Sequence, residues 1–456
     1  MTKPYDAIVI GSGQGGTPLA HKLADLGWTV ALIEKEHLGG SCINYGCTPT
    51  KTMLASARMA HYAHRAADFG VKTGPVSVNL AEVVARKNTL VQQWRGGQES
   101  HVASRPTLDL YRGAGSFTGP QTVTVNHSVL TSKHIFINTG TRPRILPIPG
   151  LEAVDYLTNR NVMDLTETPE HLIVLGGSYI GLEFGQMFLR FGSRVSVIEY
   201  AGQIIPQEDE AVAQALCEAL VAEGMQFYLG AKATAVQPTS SGVTVTVTDK
   251  RGGEMAVSGS HLLLAVGRTP NTNSLNLAAA GVATDPRGFI QVNDKLETSA
   301  PGIWALGDVK GGPAFTHVAY DDHLIIYDNL IHNQNRTVNG RIIPYALFTD
   351  PELGRVGLTE KEAQAAGYRL KVGQIPMAWV ARAIERDETA GLMKIVIDAD
   401  TDRILGAAIL GSEGGELVQT LLALMLADAP WTLFQQAMFI HPTLTEGFFT
   451  LMDNVT

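Results

Sequence analysis

The stretch Tyr5-Asp6-Ala7-Ile8-Val9-Ile10-Gly11-Ser12-Gly13-Gln14-Gly15-Gly16 runs from an apolar strand straight into a cluster of glycines. Leu19 to Leu26 then has the pattern of a helix stopped by Gly27, and Thr29-Val30-Ala31-Leu32-Ile33 reads as a second strand that ends on Glu34. Each glycine of the Gly-x-Gly-x-x-Gly string has its own task. Gly11 permits the tight turn, Gly13 lets a pyrophosphate approach the backbone, and Gly16 lets helix pack on strand. Phosphates would rest on the helix N-terminus, and Glu34 would accept hydrogen bonds from ribose hydroxyls.

A single glycine string is a weak signal, since a plain turn has the same composition. This one is repeated. His171-Leu172-Ile173-Val174-Leu175 leads into Gly176-Gly177-Ser178-Tyr179-Ile180-Gly181, a helix to Phe191, a Gly192 stop and Arg194-Val195-Ser196-Val197-Ile198-Glu199. The interval from Gly11 to Glu34 equals that from Gly176 to Glu199. Two strand-turn-helix-strand-acid units at matched spacing predict two dinucleotide-binding folds. Ser178 departs from the pattern, standing where the second glycine would be, and its side chain is expected to shift the phosphate contact. Glu199 favours the ribose 2′-hydroxyl of NAD over the 2′-phosphate of NADP, and Tyr200-Ala201-Gly202-Gln203-Ile204 supplies no substitute cation. NADH is therefore the expected nicotinamide, with NADPH the alternative.

Gly39-Gly40-Ser41-Cys42-Ile43-Asn44-Tyr45-Gly46-Cys47-Thr48-Pro49-Thr50-Lys51 follows the first unit directly. A zinc site would need more thiolate or imidazole ligands nearby, and the remaining cysteine, Cys217, is distant. No metal is expected. A redox pair beside a bound flavin accounts for both the spacing and the position of Cys42 and Cys47. Asn44 and Tyr45 have a plainer reading as loop-packing residues, and Cys217 reads as a core residue in an apolar helix.

The chain has 456 residues, 45% of them hydrophobic and 17% charged, which suits a globular protein of several compact units. A formal net charge of −9 argues against nucleic acid or an anionic membrane as the main partner. The N-terminus has no signal-peptide pattern, and Leu417 to Leu426 is too short and interrupted to span a bilayer, so it reads as a buried helix. With three cysteines, a secreted disulfide scaffold is excluded and a cytoplasmic enzyme is the expectation.

The cysteine segment resembles the active-site signature of the class I pyridine nucleotide-disulfide oxidoreductases, which include glutathione reductase, dihydrolipoamide dehydrogenase and mercuric reductase. The resemblance extends along the chain. Thr139-Gly140-Thr141-Arg142-Pro143 and Val266-Gly267-Arg268-Thr269-Pro270-Asn271 resemble the crossings between the family's two nucleotide domains. Gly302-Ile303-Trp304-Ala305-Leu306-Gly307-Asp308 resembles its second flavin motif, in which the aspartate binds the ribityl chain. His441-Pro442-Thr443-Leu444-Thr445-Glu446 resembles its catalytic histidine-glutamate segment.

The resemblance implies an α/β chain with two Rossmann-like domains, one for FAD and one for NAD, and a C-terminal α+β dimerisation domain. The flavin domain would span 1–150 and 271–340, the nicotinamide domain 151–270 and the dimerisation domain 341–456. The last would contain an antiparallel sheet with strands at Met393 to Ile397 and Ile404 to Leu410. Cofactor-binding candidates are Gly11, Gly13, Gly16, Glu34, Thr139, Gly140 and Asp308 for FAD, and Gly176, Gly181, Glu199 and Gly267 for the nicotinamide. In the implied chemistry Cys47 lies nearest the flavin and Cys42 attacks a small disulfide substrate. His441, oriented by Glu446, moves the proton, and Lys51 and Glu183 pair near the flavin ring. A homodimer with shared active sites follows.

A dihydrolipoamide dehydrogenase-like reaction is the leading expectation. The end at Asp453-Asn454-Val455-Thr456 lacks the cysteine pair that delivers mercury in mercuric reductases, and His441 stands where those enzymes have no base. Hypothiocyanous acid reductases use a similar Cys-x-x-x-x-Cys scaffold. Outside disulfide chemistry, an electron-transfer flavoprotein would share the nucleotide domains without needing Cys42 and Cys47. A nucleotide sensor would need neither the sulfurs nor the His441–Glu446 pair.

Overall fold

The computed structural model describes residues 2–456. Two five-stranded parallel sheets are built around the two glycine motifs. The first has the order Ile303–Ala305, Ile135–Ile137, Ala7–Ile10, Val30–Glu34 and Leu108–Arg112. The second has the order Tyr156–Leu157, His261–Leu264, His171–Leu175, Arg194–Glu199 and Gln226–Leu229. In each, the motif strand lies at the centre, with the strand that carries the acid on one side and Ile135–Ile137 or His261–Leu264 on the other. Ala7–Ile10 and Leu172 to Leu175 are fully buried, so both strands read as unbroken apolar runs instead of alternating ones.

The helix after the first glycine turn spans Gly16–Asp25 and starts earlier than its apolar pattern implies. The close packing that glycine allows is itself the start signal. Gly11 adopts φ +102° and Gly176 φ +108°, and a Cβ on either would overlap a backbone carbonyl, of Asn138 in the first unit and Ala265 in the second. A Cβ on Gly16 would overlap the Gly11 carbonyl, as one on Gly181 would overlap that of Gly176. The second helix, Tyr179–Arg190, begins directly after Ser178, whose side chain makes no capping hydrogen bond.

The sheets are joined by a two-stranded ribbon in which Thr141–Pro143 pairs antiparallel with Arg268–Pro270. Asn271 stitches its ends: its N–H donates to the Gly140 carbonyl at 3.0 Å, its side chain donates to the Thr139 carbonyl at 2.9 Å, and its own carbonyl accepts from the Thr139 hydroxyl at 2.9 Å. A three-stranded antiparallel meander, Ala231–Thr239, Gly242–Asp249 and Glu254–Gly259, flanks the second sheet.

The C-terminal region forms an antiparallel sheet in the order Tyr345–Leu347, Glu352–Gly357, Ile404–Gly411, Leu392–Asp398, Leu370–Pro376. Its two central strands extend the expected ones by a residue or so at their ends. The helix Gly414–Leu426 buries Leu417, Val418 and Leu421 against this sheet, but Leu426 is 70% exposed. The expectation of a buried helix therefore holds for one face only, because a helix on the outer layer of a two-layer domain has one core-facing stripe. Cys217, on the helix Glu210–Ala222, is likewise half-buried at the core's margin and not in its centre. No helix among the described residues is long and apolar enough to cross a membrane.

Candidate active site

A cleft of about 1430 Å³ opens from the first glycine turn, past the cysteine loop, to Tyr179 and Glu183 of the second unit. At one end Glu34 is held by backbone and side chain alike. Its carboxylate accepts from Ser12 N at 3.0 Å, Ser12 Oγ at 2.7 Å and Glu36 N at 2.8 Å, fixing it at the strand end. Asn138, which carries no motif of its own, is the joint of this region. Its side-chain oxygen accepts from Gly16 N at 2.9 Å and its amide donates to the Leu306 carbonyl at 2.8 Å. It thus ties the glycine turn to the return segment. A Cβ on Gly13 would lie 2.7 Å from the Asn138 side-chain oxygen, so the close backbone cradle depends on glycine there. Glycine-lined backbone, a pinned carboxylate and a long cleft fit an extended dinucleotide such as FAD.

The middle of the cleft carries the sulfurs. Cys42 lies in the short helix Gly40–Asn44, and Cys47 is the first residue of the long helix Cys47–Arg65. Asn44 holds the loop by donating to the carbonyls of Leu38 and Gly40, at 3.0 and 2.8 Å. Both cysteines are free thiols here. The two are driven apart in acidity. Interaction with the neighbouring Cys42 thiol lowers Cys47 to about 6, with further help from Thr316 and the Lys51 charge. Cys42 is pushed up by the same interaction and by burial. Negative charge is accordingly favoured on Cys47 over Cys42, and the N-terminus of the helix that Cys47 opens adds to that preference.

Thr316 was not legible as a site residue. Its Oγ1 is 3.1 Å from Cys47 Sγ, although 269 positions separate them. It opens the helix Thr316–His332, so a second helix N-terminus points at the same sulfur. Only the chain's return to the first sheet through Ile303–Ala305 brings it there.

Lys51 stands one turn after Cys47 on the same helix face. Its ammonium meets both oxygens of Glu183, at 2.9 and 2.7 Å, and lies 4.4 Å from the Phe348 ring centre. The Phe348 N–H also donates to Glu183, at 3.0 Å. The pair lines the cleft, so it is not a loose surface contact. On the crossing ribbon, Thr141 donates to Asp308 at 2.8 Å while Arg268 donates to Thr141 Oγ1 at 2.6 Å. Asp308, Thr139, Gly140 and Gly267 all line the cleft.

In the second unit, Glu199 accepts from Gly177 N and Ala201 N, each at 2.7 Å, repeating the way Glu34 is pinned. Gly176 and Gly181 hold the turn beneath it, as described above. His441 and Glu446 pair at 2.9 Å through the histidine Nδ1. Their site is apart from the rest. The His441 side chain is 74% exposed, and His441 is not among the residues lining the cleft of its own chain. One chain therefore brings together Cys42, Cys47, Lys51 and Glu183 but leaves His441 outside.

Residues 5–322 match the family model described as pyridine nucleotide-disulphide oxidoreductase, and residues 343–452 match that family's dimerisation domain. The chain belongs to this family. Its members are FAD-binding, pyridine nucleotide-dependent disulfide oxidoreductases acting on sulfur groups, and this oxidoreductase shares their two-sheet plan and C-terminal domain. It is 37% identical to the dihydrolipoyl dehydrogenase of Thermus scotoductus over 98% of this chain and 96% of that one. It is 35% identical to the probable pyridine nucleotide-disulfide oxidoreductase RclA of Escherichia coli, over 99% of both. The mercuric reductase of Lysinibacillus sphaericus is 36% identical, over 91% of this chain but 76% of that one. The solved structure of the Escherichia coli protein, titled HOCl-induced flavoprotein disulfide reductase RclA, superimposes with a TM-score of 0.89, covering 98% of this chain and 99% of that one.

Proposed function

We propose that this oxidoreductase moves electrons between NADH and a small thiol or disulfide through Cys42 and Cys47, in the manner of a dihydrolipoyl dehydrogenase. The observation that carries this is the placement of Cys42 and Cys47 in one cleft, between the first glycine turn and the Lys51–Glu183 pair. Gly11, Gly13, Gly16, Glu34 and Asp308 would hold FAD, with Thr139 and Gly140 at the crossing. Segments 1–150 and 271–340 form the flavin domain in this reading, 151–270 the nicotinamide domain and 341–456 the dimerisation domain. When bound, the flavin supplies two-electron transfer between nicotinamide and sulfur.

The chain's own groups do the rest. In the reducing direction Cys42, relieved of its proton by His441 from a second copy of the chain, attacks one sulfur of the substrate disulfide. A mixed disulfide forms, and the first thiol leaves with the proton that His441 returns. The Cys47 thiolate then attacks Cys42, which closes the Cys42–Cys47 disulfide and releases the second sulfur as a thiolate that takes its proton from solvent. Glu446 orients the imidazole through Nδ1, leaving Nε2 for the sulfur. Lys51 and Glu183 would sit against the flavin ring, their charges fixed by each other. Glu199 would receive the adenine ribose, favouring NADH.

A second reading is supported by the full-length similarity to the Escherichia coli flavoprotein disulfide reductase. Here the electrons end on a reactive oxidant such as hypothiocyanite. Steady-state rates with lipoamide, glutathione disulfide, hypothiocyanite and Hg(II), each with NADH, separate these readings. Lipoamide turnover abolished by Cys42→Ser supports the first. Activity on none of the disulfides, with hypothiocyanite alone accepted, replaces it with the second.

A further inference from the structure

The loop after Glu199 has no cation of its own, but the fold delivers one. Gly230, which opens the meander, donates its N–H to the Ala201 carbonyl at 2.7 Å, so the meander is fastened to the ribose loop. Its second and third strands meet in the turn Asp249-Lys250-Arg251-Gly252-Gly253, which Asp249 holds by accepting from Arg251 N at 2.8 Å and Gly253 N at 2.9 Å. Lys250 folds back from this turn. Its Cε would be 3.3 Å from a Cβ on Gly230, and its Nζ 3.6 Å from a Cβ on Gly202. Gly230 thus leaves room for the lysine stem, and the ammonium ends beside Gly202, three residues past Glu199. Among the described residues Lys250 joins no ion pair. Tyr200, between the carboxylate and the ammonium in sequence, is 74% exposed.

We infer that Lys250 is a specificity-determining residue which contacts the 2′-phosphate of NADPH, so that the enzyme uses both nicotinamides. The inference rests on the reading that the Gly176–Glu199 unit holds the nicotinamide cofactor. Glu199 serves the ribose diol of NADH and repels a 2′-phosphate. An unpaired ammonium at the loop's edge offsets that repulsion with a charge-assisted contact. A lysine acts as a point charge, so it adds NADPH acceptance without demanding it. Because the ammonium is exposed, the contact weakens as ionic strength rises.

The test compares Lys250→Ala, Lys250→Arg and Glu199→Ala in the FAD-loaded enzyme. Readouts are kcat/KM for NADPH and NADH, and competition against NADH by 5′-AMP and by 2′-phospho-5′-AMP. Lys250→Ala should lower kcat/KM for NADPH by about tenfold more than that for NADH. It should weaken 2′-phospho-5′-AMP relative to 5′-AMP, and Lys250→Arg should restore both. If Glu199→Ala weakens 5′-AMP while Lys250→Ala leaves the ratio between the two nucleotides unchanged, the role of Lys250 is wrong. If Glu199→Ala leaves 5′-AMP unchanged as well, the nicotinamide lies elsewhere and the underlying reading fails.

Discussion

Cys47 draws stabilisation for a negative charge from several neighbours at once. It receives the Cys42 thiol and the Thr316 hydroxyl, begins a helix, and has Lys51 one turn away. A folded thiol brought down to about 6 is ionised above that pH and takes up a proton as pH falls through it. In the two-electron-reduced enzyme, the long-wavelength absorbance of a thiolate facing oxidised flavin should therefore grow in as pH rises through about 6. Thr316→Val removes a donor to the thiolate and should move that midpoint up by roughly one pH unit, with Thr316→Ser restoring it. Spectrophotometric titration of the anaerobic enzyme measures both. A midpoint indifferent to Thr316→Val would leave Thr316 a packing residue. Cys42→Ser should keep the absorbance without turnover, and Cys47→Ser should lose it.

Among the elements, the buried contact between the second unit and the C-terminal sheet decides how firmly the two halves of the cleft are held. Glu208, just before the helix Glu210–Ala222, faces Arg355 on the strand Glu352–Gly357 at 3.2 Å, with side chains 0% and 3% exposed. Tyr345 on the neighbouring strand also donates to Glu208, and its ring stacks on Phe315 at 5.4 Å. Burial raises Glu208 in spite of Arg355, so the carboxylate depends on these partners to stay charged. Arg355→Met strands it and should cost about 3–5 kcal/mol, read as a lowered Tm. Replacing both partners by methionine should recover much of that loss, because no buried charge remains unpaired. Equal Tm values for the single and double variants would mean that the pair contributes packing alone.

At the scale of the molecule, the open question of the single chain is where His441 works. It is held by Glu446 on the C-terminal domain but exposed and outside its own cleft, amid Met438, 97% exposed, and Ile440, 77% exposed. Large apolar side chains left this open are the material of an obligate subunit contact. A second copy covering them would carry His441 into the partner's cysteine cleft. Mixing inactive His441→Ala with inactive Cys42→Ser should then restore activity after subunit exchange, because hybrid dimers hold one intact site. If exchange is verified by mass and the mixture stays silent, the histidine acts in cis.

What the sequence determined by itself was everything encoded in local backbone demands. Gly11, Gly16, Gly176 and Gly181 stand where any Cβ would meet a carbonyl, so both dinucleotide units were legible from spacing. The pinned acids Glu34 and Glu199 and the Cys42–Cys47 loop were legible for the same reason, since each lies within one strand-turn-helix segment. The tertiary structure alone decided the contacts made across long stretches of chain. Asn138 as the joint of the cleft, Thr316 against Cys47 and Lys250 over Gly202 carry no motif, and each reaches its place through a sheet return or a meander. Residues 200–204 carry no cation of their own, and the structure brings Lys250 from the meander alongside them. A loop is a local object, but the charge that faces it is set by whatever the fold packs alongside.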